Sequence, residues 1–163
     1  MEIFGVLIGG VIAIAGSIIA NYLALTSQQK LNRESLAGGF AGEIEALITI
    51  ATKRKYVEHL EQLISTMQKH DCNLPFYFHV TYDYFNVYKN NVDKLGSLQQ
   101  PLPKLIATFY TQCFAILEDI KQLETLSIEE IPREQLIGHY NELTCLFKDT
   151  LAIGEKALSI INK

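Results

Sequence analysis

Residues Ile3 to Leu25 read IFGVLIGGVIAIAGSIIANYLAL, a run without a charged side chain in which only Ser17 and Asn21 are clearly polar. In a helix, about 20 apolar residues match the roughly 30 Å hydrocarbon core of a bilayer. The run therefore predicts a single transmembrane helix, within an anchor over residues 1–27. A cleaved secretory leader would need a basic start, a shorter apolar core and a small-residue cleavage site. Met1 and Glu2 precede the run instead, so a retained anchor is expected. Lys30 and Arg33 follow it while nothing basic comes before. Basic residues beside a span favour the cytoplasmic side, which puts the N-terminus outside and residues 28–163 in the cytoplasm.

Within the run, Gly5, Gly9, Ala13, Ser17 and Asn21 recur at every fourth position, forming one ridge of small or polar side chains along the helix. In lipid no hydrophobic force drives helices together. Close backbone approach along such a ridge, with a polar bond from a residue like Asn21, is what favours association. These five residues are the expected oligomerisation surface of a homo-oligomer.

Past the anchor the apolar residues keep helical spacing. Leu36, Phe40, Ile44 and Leu47 continue the first helix into the domain, and Tyr56, Leu60, Leu63 and Met67 extend the same pattern. Gly38, Gly39 and Gly42 interrupt it as a hinge or, preferably, as a flat patch for a packed neighbour. Lys53, Arg54 and Lys55 read as a solvated helix face. Asp71 to Pro75 reads as a loop, and a second helix is expected from Thr81 to Leu95, closed by Gly96 in a left-handed cap.

The QQPLP run, ending at Pro103, is a tight connection into a third helix that reaches Leu126. Its stripe is Ile106, Phe109, Cys113, Ile116, Leu117, Ile120 and Leu123. Ser127 and Glu130 have capping-box spacing and Pro132 suits a first turn, so the last helix is expected to start there. Its stripe is Leu136, Tyr140, Leu143, Phe147, Leu151, Leu158 and Ile161. The fold class expected is all-α: an N-terminal single transmembrane helix followed by an antiparallel bundle of about four helices. Only Phe76 to Val80 reads at all like a strand.

Several chemistries lack their signatures. The phosphate-binding glycine-lysine loop, the dinucleotide glycine fingerprint and the paired-histidine zinc helix do not occur. None of His59, His70, His79 or His139 has a glutamate three residues before it, as a di-iron bundle requires. His70, Cys72 and His79 fall near one loop and could gather around one metal, but a polar loop with one buried thiol is the simpler reading. No metal, no cofactor and no catalytic residue is expected, and the chain reads as a non-enzyme. Cys72, Cys113 and Cys145 are odd in number and widely spaced, which suits a reducing compartment. A net charge of −4 opposes binding to nucleic acid.

The aromatic residues are unevenly distributed, with Phe76, Tyr77, Phe78, Tyr82, Tyr84, Phe85 and Tyr88 lying close together. A short helix cannot bury all of these rings on one face, and tyrosines suit apolar surfaces with a polar rim. Phe76, Tyr77, Tyr82, Tyr84 and Tyr88 are the expected partner-binding residues.

Two segments carry a resemblance. Val87 to Tyr110, VYKNNVDKLGSLQQPLPKLIATFY, resembles a motif of the form VYxxNxxKLGxLxxxLPxxIxxFY in a set of uncharacterised small bacterial membrane-anchored helical proteins. Leu36 to Leu47, LAGGFAGEIEAL, resembles the Ala-Gly-rich stretch before their acidic helix. The resemblance implies this architecture at a bacterial inner membrane and carries no activity. Physically, Val87 to Tyr110 reads as a helix corner with Tyr88 and Leu95 packed. Asn91 is the residue expected to satisfy backbone groups left open at that corner.

The function expected is that of a non-enzymatic, membrane-anchored interaction or accessory protein. It would self-associate through its first helix and present its bundle to a protein partner. The alternatives are a membrane-disrupting or pore-forming effector triggered by a ligand or partner, and a periplasmic sensor bundle of inverted topology.

Overall fold

The protein is all-helical, with no strand among the described residues. The structure, a computed structural model, describes the backbone of residues 2–78, 82–125 and 127–162 and the side chains of residues 14–78, 83–125 and 127–162. The described residues form five α-helices in order: α1 (Glu2–Lys53), α2 (Tyr56–Lys69), α3 (Asn86–Asn91), α4 (Leu102–Thr125) and α5 (Arg133–Ile161), with short 3-10 turns around α3 and before α5. The chain divides into two units, Met1–Ala37 and Gly38–Lys163.

In the first unit every described side chain from Ile14 to Ser35 is exposed. Among the described residues, no helix is long and apolar enough to cross a membrane. Of the expected span, only Ile14–Leu25 falls within the described side chains. Those of Gly5, Gly9 and Ala13 lie outside them. Ser17 turns its hydroxyl back onto the Ile14 carbonyl at 2.9 Å.

The second unit is the bundle. The C-terminal part of α1 buries Phe40 and Ile44, and α2 buries Tyr56, Leu60, Ile64 and Met67. Burial on this scale offsets the cost, roughly 1 kcal/mol each, of carrying glycines 38, 39 and 42 inside a helix. Gly39 is the one that packs: a Cβ there would sit 3.4 Å from Val87 Cγ1, whereas Gly38 and Gly42 face open space. α1 does not run on into α2. Lys55 adopts φ 54 and ψ 42, in the left-handed region, and breaks the helix. The Lys53–Arg54–Lys55 cluster is therefore a corner rather than a helix face. Arg54 Nη1 donates across it to the Tyr56 hydroxyl at 2.9 Å.

α4 and α5 form an antiparallel hairpin with α2 packed against α5. They share a core in which Ile116, Ile120, Leu136, Tyr140, Leu143 and Phe147 meet the buried face of α2. Of the stripe expected for α4, Ile106, Phe109, Ile116, Leu117 and Ile120 are buried, Cys113 and Leu123 are half-buried, and Leu102 and Tyr110 join the buried face. On α5 it holds as far as Phe147 and then shifts to Gly154 and Ala157, leaving Leu158 and Ile161 half-buried. Gly154 is a contact point between helices: a Cβ there would lie 2.7 Å from Phe109 Cε2 and 2.9 Å from Ile48 Cδ1.

Two expectations about helix ends are corrected. The expected helix Thr81–Leu95 is instead a 3-10 turn (Tyr82–Phe85), the short α3 and a second 3-10 turn (Val92–Ser97). Asparagines account for the break by offering the backbone a local alternative to a continuing helix. Asn90 Nδ2 donates to the Asn86 carbonyl and Asn91 Nδ2 to the Val87 carbonyl, while Asn91 itself leaves helical geometry at φ −136. Gly96 sits inside the second turn, and no described glycine has a positive φ, so the left-handed cap is absent. Ser127 and Glu130 do not form a capping box. They bracket a 3-10 turn in which the Glu130 N–H donates to the Ser127 carbonyl at 2.8 Å, and α5 begins only after Pro132.

Candidate interaction surfaces

Three features of the chain carry chemistry beyond packing. The first is centred on Glu43. Its carboxylate accepts hydrogen bonds from the backbone N–H of Val87 (2.6 Å) and Tyr88 (3.1 Å) at the start of α3, and from the Tyr110 hydroxyl (2.6 Å). Hydrogen bonds to an ionised acceptor are among the stronger ones a protein makes. Around the carboxylate, Tyr88 stacks on Tyr110 with centroids 4.1 Å apart and planes 18° apart, and Phe40 and Phe85 meet Tyr110 edge-on. Burial, then the bond to Glu43 and its charge, hold the Tyr110 hydroxyl protonated well above the usual tyrosine range. Burial, and secondarily Glu43, push the Cys113 thiol up to about 12.

Next to this node lies an apolar cavity of about 60 Å³, walled by residues that include Leu47, Ile48, Phe85, Phe109, Cys113 and Leu151.

The second feature is the extended segment from Cys72 to Phe78. Within it Asn73, Leu74, Pro75 and Phe78 are half-buried and Phe76 is buried, while Tyr77 is 84% exposed. Hydrogen bonds tie the segment to the end of the α4–α5 hairpin. Asn73 Nδ2 donates to the carbonyls of Ile128 and Ile131, each at 2.8 Å, and the Tyr140 hydroxyl donates to the Leu74 carbonyl at 2.8 Å. The exposed pair Arg133–Asp71, at 2.8 Å, adds little in water. Tyr77 thereby stands between two surface depressions. One, of about 360 Å³, is lined by His59, Gln62, Leu63 and Thr66. The other, of about 310 Å³, is lined by Leu123, Glu124, Ile128 and Tyr140.

The five aromatic residues expected at a partner surface are thus not one patch. Phe76 belongs to the core, against Tyr56 and Tyr140, and Tyr88 is used in the Glu43 node. Tyr77 and Tyr84, the latter 41% exposed, face solvent. The Tyr82 side chain lies outside the described residues. Glu43 was not singled out by its pattern, and Tyr77 only as one of five.

Among the described residues, no group of three or more His, Cys, Asp or Glu side chains is placed to hold a metal ion. His79 lies outside the described residues, and the Cys72 thiol expected to be buried in this loop is exposed.

The third feature is the described apolar part of α1. Ile14, Ile18, Ile19, Tyr22, Leu23 and Leu25 are each 59–67% exposed. Contiguous apolar surface of this kind marks a place of contact with lipid or protein. Compared with protein-family models, with curated proteins and with solved structures, the chain matches none.

Proposed function

We propose that this chain is a non-enzymatic, membrane-anchored interaction protein, whose first helix lies in the bacterial inner membrane and whose bundle offers the Tyr77 face to a protein partner on the cytoplasmic side. The observation that carries the reading is the exposure of every described side chain of α1 from Ile14 to Leu25, apolar ones included. Water does not favour that surface. The described part of the run rises only about 18 Å, but with the uncharged residues from Ile3 onward the run reaches about 34 Å, enough for the hydrocarbon core.

Self-association belongs to the same reading. Ser17 already satisfies its hydroxyl within the helix, whereas Asn21 offers an amide for which lipid supplies no partner. A facing copy would supply one. On the bundle side, Tyr77 combines a large apolar ring with a hydroxyl. The extended segment that holds it is pinned at both Asn73 and Leu74, so little conformational entropy remains to be lost on docking.

Membrane fractionation tests the anchor. The full chain is expected in the membrane pellet after a high-salt, alkaline wash, and Ile14→Lys with Ile18→Lys should move it to the supernatant. Full chain recovered in the supernatant would overturn the reading.

A further inference from the structure

We propose that residues 83–97 form a cover that lifts from the bundle as one unit, with the Glu43 carboxylate as its latch. The segment is internally tied. Asn90 bonds to the Asn86 carbonyl, Asn91 to the Val87 carbonyl, Lys94 Nζ to Asn91 Oδ1 and Ser97 to the Lys94 carbonyl, all within 3.0 Å. Two hydrogen bonds join it to α1, from the Val87 and Tyr88 amides, and both end on Glu43. The carboxylate is held in turn by Tyr110 of α4, which fixes it where the two amides converge.

Apolar contacts add to this hold: Phe85 and Leu95 are buried, and Tyr88 stacks on Tyr110. Phe85 is also a wall of the apolar cavity that Leu47, Ile48, Phe109, Cys113 and Leu151 line from beneath. Lifting the segment therefore opens that cavity and exposes the rings of α4. A short helix flanked by 3-10 turns has few backbone hydrogen bonds of its own to lose, and such segments open below the global unfolding free energy. A device of this kind separates a closed bundle from one showing a concave apolar face, without unfolding α2, α4 or α5.

Amide hydrogen exchange on the purified full-length chain tests it. In the unmodified protein, the amides of residues 86–97 are expected to exchange together and at least about tenfold faster than those in the middle of α4 and α5. Glu43→Gln keeps the shape but removes the charge, and it should speed exchange of residues 86–97 a further tenfold or so. Tyr110→Phe, which leaves both latch bonds in place, should speed it much less. Exchange of 86–97 at the α4 rate in the unmodified protein would overturn the proposal without recourse to any variant. Unchanged exchange of residues 86–97 in Glu43→Gln would overturn it as well, since the carboxylate would then not be what holds the segment down.

Discussion

The Tyr110 hydroxyl donates to Oε1 of Glu43 at 2.6 Å, and the same carboxylate holds the first amides of α3. Removing it strands three donors at a half-buried site. Glu43→Ala is expected to cost about 3 kcal/mol in urea unfolding, against about 1 kcal/mol for Tyr110→Phe, which deletes one donor together with its need. A loss for Glu43→Ala no greater than the roughly 0.5 kcal/mol of an ordinary surface change would show that water replaces the carboxylate at no cost.

Two glycines make the same substitution act in opposite directions. At Gly154 a new Cβ would meet Phe109 Cε2 at 2.7 Å and Ile48 Cδ1 at 2.9 Å, while at Gly42 nothing lies within 4 Å. Gly154→Ala should destabilise by about 1–3 kcal/mol through overpacking. Gly42→Ala should stabilise by up to about 1 kcal/mol through helix propensity. Thermal melts of the two variants beside the parent read both signs, and a stabilising Gly154→Ala would show that α5 stands farther from α4 than described.

Helix existence was legible wherever the 3.6-residue period repeats over several turns. α4 buries Ile106, Phe109, Ile116, Leu117 and Ile120, as its stripe predicts. Other features leave no periodic trace. The break at Lys55 has neither glycine nor proline to announce it, and α2 beyond it buries Tyr56 and Leu60. Gly154 and Ala157 pack where a hydrophobic pattern selects Leu158, because close helix approach rewards small side chains over large ones. Glu43 finds its partners 44, 45 and 67 residues away, two of them backbone amides that any residue carries. The split of the aromatic cluster into core and surface depends on residues 72–78 being extended, which sends Phe76 and Tyr77 to opposite faces.

That split makes the neighbours separable by experiment. Phe76 is 8% exposed and Tyr77 84%, so Phe76→Ala should cost about 3–5 kcal/mol of stability and Tyr77→Ala less than about 0.5. If the Tyr77 face contacts the partner, Tyr77→Ala should still lower the yield of any in-cell cross-linked partner at least tenfold or so, as expected of a central aromatic at an interface. An unchanged cross-linking pattern with Tyr77→Ala would remove this face from the proposed function.

Alkaline pH should unfold the bundle through Cys113 and Tyr110. Both groups are neutral when protonated, and burial makes both hold their protons to higher pH in the folded chain. The unfolded thiol releases its proton near 9.0, whereas the folded one does so at about 12. Between those values the unfolded state binds fewer protons than the folded state, so stability falls as pH rises, by up to about 1.4 kcal/mol per pH unit from the thiol alone. Below pH 9 this contribution is fully present and flat. Melting temperatures of the parent should therefore fall steeply above about pH 9. Cys113→Ala, although less stable at neutral pH because it enlarges an existing cavity, should fall less steeply, keeping the slopes from Tyr110 and from Tyr140, whose hydroxyl burial also holds protonated to higher pH. Parallel curves for the two proteins would mean that the thiol reaches solvent in the folded state and titrates there as it does in the unfolded chain.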